Sequence, residues 1–154
     1  MITSDTWKNP QTYIYLLLPI LTGYLASALC PIGKSSGSKI KSRPPSWVFG
    51  IIWPLLYIFL GLTWIILRSK DTQNYFVDIL MILNIVCLVS WIILYGCKKD
   101  KKGALYVLLF TFCVSLVIFG YSWSIDRTAG LLMSPYLAWI TFAMILNFTD
   151  VNNG

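Results

Sequence analysis

Histidine is missing from all 154 residues. Its absence excludes a histidine-ligated haem and a histidine general base. Charge is scarce as well: 12% of the residues are charged against 57% hydrophobic, and the mean hydropathy is +0.71. A soluble domain of this size needs far more charged surface. The long apolar stretches carry no Glu, Lys or Arg in their middles. A proton- or cation-coupled transporter more often has a mid-membrane carboxylate, so that class loses ground. Asp78, at the start of the third stretch, is expected at the membrane interface. Zinc-like spacing is lacking among the four cysteines, Cys30, Cys87, Cys97 and Cys113. They lie in or at the ends of apolar segments and are expected as structural thiols, with no metal site. A signal-peptide pattern is lacking too: Met1–Gln11 is polar and contains Asp5, so the first apolar segment is expected to stay in the mature protein.

What is present is a repeated alternation of apolar runs and short basic clusters, the pattern of a polytopic helical membrane protein. Five segments approach the roughly 20 apolar residues a bilayer crossing needs: 12–29, 46–67, 75–95, 104–123 and 129–148. The expectation is an all-α membrane protein, a bundle of five transmembrane helices forming one domain over 1–154. The net charge of +6 sits in loops flanking apolar segments. It reads as a topology signal and contact with the anionic lipid bilayer, with no nucleic acid as partner. The N-terminus, second-to-third and fourth-to-fifth loops hold four basic residues: Lys8, Arg68, Lys70 and Arg127. The opposite side holds eight: Lys34, Lys39, Lys41, Arg43, Lys98, Lys99, Lys101 and Lys102. The positive-inside rule then makes the first-to-second loop, the third-to-fourth loop and the C-terminus cytosolic, with the organelle unspecified. On that orientation the formal glycosylation sequon at Asn147 lies at a cytosolic helix end and is discounted.

The long loop 31–45 reads PIGKSSGSKIKSRPP. Its Gly/Ser content favours mobility, and paired prolines fix the start of the next helix. It is either a plain linker or a lid, with Lys41, Arg43, Pro44 and Pro45 as its charged and rigid end. In the second segment, Gly50, Trp53, Tyr57, Gly61, Trp64 and Arg68 fall on one face. Pro54 removes the hydrogen bond to the Gly50 carbonyl and should kink the helix. Trp47 and Trp64 read as interfacial belt residues; Trp53 and Tyr57, further in, read as pocket lining. In the fifth segment Pro135, Trp139, Ala143 and Asn147 repeat at i+4, and in the third Asn84, Cys87, Trp91 and Tyr95 lie along one side. Gly23 and Ser27 of the first form a small-xxx-small pair, suited to bundle packing or dimerisation. Aromatic walls with few polar groups suit a flat, apolar, polycyclic ligand.

Two segments carry a resemblance. Pro44-Pro45-x-Trp47-Val48-Phe49-Gly50-x-x-Trp53 with Tyr57 is the first; Ala129-Gly130-x-Leu132, Pro135-Tyr136-Leu137-x-Trp139 and Leu146-Asn147 form the second. Together they resemble the signature segments of the translocator protein family (TspO/MBR, the peripheral-type benzodiazepine receptors). The likeness extends over nearly the whole chain. It implies a five-helix bundle, a homodimer, and a porphyrin or bilin as ligand or substrate with no obligatory cofactor. Light- and oxygen-dependent porphyrin breakdown in some bacterial members implies a catalytic part for Trp53 and Trp139. The ligand site is then expected from Gly50, Trp53, Tyr57, Cys87, Trp91, Pro135, Trp139, Ala143 and Leu146. A propionate-bearing tetrapyrrole would reach Lys41 or Arg43. The alternative is a lipid, sterol or tetrapyrrole carrier or scaffold without chemistry.

The chain departs from the family in its third segment. Anchored on Gly96, the family's Asn-x-x-Trp-x-Pro-x-Phe-Phe-Gly places Cys87, Ser90 and Ile92 at the Asn, Trp and Pro positions, with Asn84 and Trp91 shifted by three and by one. The family's Trp-Thr is Trp53-Pro54 here. The animal cholesterol motif needs Tyr and Arg after the last helix, where this chain has Phe148 and then TDVNNG.

Overall fold

Lipid offers the backbone no hydrogen bonds, so an apolar span must satisfy its own N–H and C=O groups as a helix. A computed structural model describes residues 2–32, 41, 43–70 and 75–153, and it contains five such helices. These are α1 (Pro10–Leu29), α2 (Ser46–Lys70), α3 (Phe76–Ile92), α4 (Lys101–Ile125) and α5 (Arg127–Asn153). A short 3-10 turn, Thr6–Lys8, precedes α1, and a π-helical turn, Ile93–Cys97, ends α3. Most of the helices run a few residues past the apolar segments because polar caps, not hydropathy, end them. The Asn9 side chain accepts the Gln11 N–H at 3.0 Å, with Pro10 at the first helical position. Asp100 accepts from the Gly103 N–H at 2.9 Å, and Asp126 from Thr128 at 2.8 Å and Ala129 at 3.3 Å.

The helices close into a ring: α1 packs on α2, α2 on α5, α5 on α4, α4 on α3, and α3 back on α1. Gly61 sets the α1–α2 approach. A Cβ there would stand 2.9 Å from both the Cα and the carbonyl oxygen of Leu16, so the glycine makes room for the α1 backbone rather than for a ring. The outer surface is apolar: Leu21, Ile51, Ile79, Phe110 and Ile145 are all more than half exposed, as lipid-facing residues should be.

Several polar groups inside the ring are paired with one another. Tyr136 donates to the Asn84 Oδ1, Asn84 Nδ2 donates to Ser115 at 2.9 Å, and Ser115 donates to the Thr111 carbonyl at 2.7 Å. This network ties α3, α4 and α5 together. Two expectations change here. Trp64 does not face the lipid as a belt residue would: it is 2% exposed, stacks on Tyr15 at 4.9 Å, and donates its Nε1 proton to Asp78 at 2.8 Å. An indole N–H must find an acceptor when buried, and Asp78 on α3 supplies it. Trp47, by contrast, is 66% exposed. Cys30 and Cys97, expected as thiols, form a disulfide across 67 positions; Cys87 and Cys113 are free. Nothing in local spacing marks two cysteines that only the α1–α3 contact brings together.

At the end away from that disulfide, Arg68 pairs with Asp78 at 3.4 Å and Lys70 with Asp126 at 3.6 Å. Lys34 and Lys39 of the 31–45 loop lie outside the described residues, as does most of the expected lid.

Candidate functional site

The ring encloses one large cavity among the described residues, of about 390 Å³, between α1, α2, α3 and α5. Its volume falls in the range of small-molecule sites. α2 supplies Ser46, Phe49, Gly50, Trp53, Pro54 and Tyr57. The i+3/i+4 spacing read from the sequence puts the main part of this set on one face. Pro54 has no N–H, so the Gly50 carbonyl lacks its usual helical partner within this wall. A Cβ on Gly50 would meet nothing within 4 Å. Tyr57 has its ring seated on Gly23 of α1, where a Cβ would collide with the ring carbons.

The rings touch one another along the wall. Trp53 stacks on Tyr57 at 5.8 Å and lies 5.7 Å from Trp91, which stacks on Tyr95 at 5.7 Å. Two polar rungs fix the α3 rings against α5 and α4. Trp91 donates Nε1–H to Asn147 Oδ1 at 3.1 Å, and Asn147 Nδ2 donates to the Lys101 carbonyl at 3.0 Å. Tyr95 donates to Asp150 at 2.7 Å, and Lys101 Nζ pairs with the other Asp150 oxygen at 3.0 Å. Asp150 is 3% exposed, so removing either partner would leave a buried acceptor unsatisfied. At the mouth stands Arg43, its guanidinium 5.7 Å over the Phe49 ring.

Of the residues expected at the site, the cavity wall contains Gly50, Trp53, Tyr57, Trp91, Ala143, Leu146 and Arg43. Cys87, Pro135, Trp139, Lys41, Pro44 and Pro45 are not in it. Cys87 is buried inside α3. Pro135 is exposed on the outer side of α5. Trp139 lies behind the wall, edge-on to Trp53 at 6.3 Å and 5.6 Å from Phe49, and its buried Nε1 has no partner among the described residues. Four wall residues of α1 were not foreseen as a site: Ile20, Gly23, Tyr24 and Ser27. Their i, i+3, i+4, i+7 spacing was the available signal. Tyr95 and Asn147 stood in the periodic rows but not in the expected site. In α3 the family's Trp position is Ser90, which bonds back to the Val86 carbonyl at 2.7 Å, while the shifted Trp91 faces the cavity.

Comparison with known proteins agrees with this architecture. The model of the TspO/MBR family matches residues 12–150. The "Tryptophan-rich protein TspO" of Archaeoglobus fulgidus is 32% identical over 114 residues, covering 68% of this chain and 69% of its own. The protein of the same name from Chlorobaculum tepidum is 26% identical over 115 residues, 72% of each chain. "Protein CrtK" of Rhodobacter capsulatus is 29% identical over 112 residues, 69% of this chain and 68% of its own. With five apolar helices closed around an aromatic cavity and a family match along almost all its length, this chain is an integral, multi-pass membrane protein belonging to the TspO/MBR family.

Proposed function

We propose that the chain binds a tetrapyrrole, a porphyrin or bilin, in the aromatic cavity. The observation that carries this reading is the continuous wall Tyr57–Trp53–Trp91–Tyr95 with Arg43 at its mouth. Flat π-faces suit the macrocycle and a guanidinium suits a propionate. The Gly50 carbonyl, left without a helical partner by Pro54, is an acceptor suited to the pyrrole or lactam N–H of an open-chain bilin. A relative from Cereibacter sphaeroides is named a "Tryptophan-rich sensory protein", and a sensing role is compatible with such a site.

A photochemical step is part of the proposal. Under light, Trp53 donates one electron to the excited macrocycle, and molecular oxygen takes the electron from the macrocycle radical. The Trp53 radical cation, its hole shared with Trp139 edge-on at 6.3 Å, takes an electron back from the macrocycle. The superoxide formed adds to the resulting macrocycle radical cation, and the O–O bond breaks as one methine double bond opens into two carbonyls. Trp139 acts through Trp53 and does not touch the ligand itself. A second reading, a carrier that returns its ligand intact, is favoured by the same placement of Trp139 outside the wall.

The test is a titration of lipid-reconstituted protein with protoporphyrin IX in the dark, followed by porphyrin absorbance under light with oxygen. Saturable tryptophan quenching supports the site. Light-driven loss that Trp53→Phe abolishes and Trp139→Phe slows supports chemistry. Binding with no light-driven loss leaves the carrier or sensor, and no saturable binding of protoporphyrin or a bilin sinks the tetrapyrrole reading.

A further inference from the structure

The Cys30–Cys97 bond lies at the mouth of the cavity, and its two halves differ in access. Cys30 is 6% exposed, whereas Cys97 is exposed. Pro31 and Ile32, directly after Cys30, line the cavity, and so does Tyr95, two positions before Cys97. The bond therefore couples two walls that come from α1 and the π turn of α3. The backbone is closely packed beside the bond. Gly96 has no room for a Cβ, which would collide with the Cys30 carbonyl oxygen. The sequence around Cys97 is also particular: Lys98, Lys99 and Lys102 follow it, with Asp100 between them and Lys101 paired to Asp150. Nearby cations favour the thiolate, the species that attacks and departs in disulfide exchange. On the orientation read from the loop charges, this end faces the cytosol, where soluble thiols keep accessible cysteine pairs reduced.

We propose that Cys30–Cys97 is a thiol–disulfide exchange site for a soluble dithiol, and that opening it loosens the mouth of the cavity. The incoming thiolate bonds to the exposed Cys97 sulfur, and the Cys30 sulfur leaves as a thiolate. The dithiol's second sulfur then attacks the mixed disulfide and releases Cys97. Two electrons and two protons pass to the protein, and the dithiol becomes a disulfide. The Pro31–Ile32 wall is afterwards tethered to α3 by packing alone. This concerns access to the cavity and does not depend on which ligand occupies it.

The test uses the full chain in liposomes, with dithiothreitol as the dithiol. Alkylation followed by intact mass counts thiols, and acrylamide quenching of tryptophan fluorescence reads access to the wall that holds Trp53 and Trp91. The folded, oxidised protein is expected to gain two alkylatable thiols with dithiothreitol, and its quenching constant to rise. A Cys30→Ser/Cys97→Ser variant should show the raised quenching from the start and no response to dithiothreitol. Where protoporphyrin binds, its release should quicken on reduction, as changes at one interface act mainly on dissociation. A bond that yields only after unfolding, or equal quenching before and after reduction, overturns the proposal. The wild-type comparison needs no variant, so a misfolded serine variant does not blunt it.

Discussion

Two glycines eleven positions apart on α2 have opposite duties. Gly61 lets the α1 backbone approach, with Leu16 atoms 2.9 Å from any added Cβ, whereas a Cβ on Gly50 points into open space in the cavity wall. Gly61→Ala should therefore force the helices apart and cost about 1–3 kcal/mol, by the usual penalty of overpacking. Gly50→Ala should stabilise by about 0.5–1 kcal/mol, since it only removes backbone freedom in a helix. Unfolding in bicelles measures both. The same Gly50→Ala chain should bind protoporphyrin more weakly, because the methyl occupies the wall where a ring would lie; unchanged affinity would place the ligand elsewhere. A third residue-scale test addresses the polar network. Tyr136→Phe leaves the Asn84 Oδ1 without its donor and should cost about 0.6 kcal/mol, the average for interhelical bonds in membranes, and no more than about 1.7 kcal/mol. These roles were unevenly legible in the sequence. Trp53 and Tyr57, read as pocket lining from their spacing and the motif around them, do line the cavity. Trp64 shares their face, yet it is buried against Asp78, because one helix's pattern cannot say which neighbour covers it.

The helices themselves were legible, since lipid demands long apolar runs and five are present. Their ends were not, because caps lie outside the apolar pattern. Asp126 shows what a cap does here. Its partial burial works against ionisation, but the N–H groups of Thr128 and Ala129 and the Lys70 ammonium outweigh this and hold its carboxyl below the ordinary value of 3.8. A depressed pKa means stability that is fully present above the ordinary value and fades as pH falls through the lower folded-state value. Between neutral pH and pH 5, Asp126→Ala should destabilise by about 0.5–2 kcal/mol, the usual cost of a lost N-cap. The wild-type advantage over the variant should shrink only under stronger acid. Denaturation curves of both proteins across pH check this; a difference that vanishes already near neutrality would refute the assignment. The π turn Ile93–Cys97 was illegible for another reason. The family's proline position holds Ile92, so nothing local marks the irregularity; the Lys98 N–H reaching back to the Ile93 carbonyl at 3.0 Å defines it.

Across the whole molecule, the ring of helices has two unlike ends. One carries the cavity mouth, the disulfide, and the Tyr95–Asp150–Lys101 cluster; the other carries the Arg68–Asp78 and Lys70–Asp126 pairs. Six of the ten described basic residues, Lys41, Arg43, Lys98, Lys99, Lys101 and Lys102, fall at the mouth end, which the positive-inside rule expects in the cytosol. A persistent disulfide belongs to an oxidising compartment. Charge and sulfur thus give different compartments for the same end, unless the bond is one that cytosolic dithiols open and close. Reporter cysteines separate the cases. With the four native cysteines changed to serine, Ser124→Cys marks the far end of α4 and Asn152→Cys the C-terminal end of α5; both positions are exposed and uncharged. In sealed cells or organelles whose outer face is the non-cytosolic one, an impermeant maleimide should label Ser124→Cys directly and Asn152→Cys only after permeabilisation. The reverse pattern would turn the mouth toward the oxidising side. Cys30–Cys97 would then be a permanent crosslink closing a long loop, worth about 2–5 kcal/mol, and the exchange proposal would lose its dithiol. The expected pattern leaves the bond where exchange can reach it, and makes ligand access to the cavity answerable to the thiol state of the cytosol.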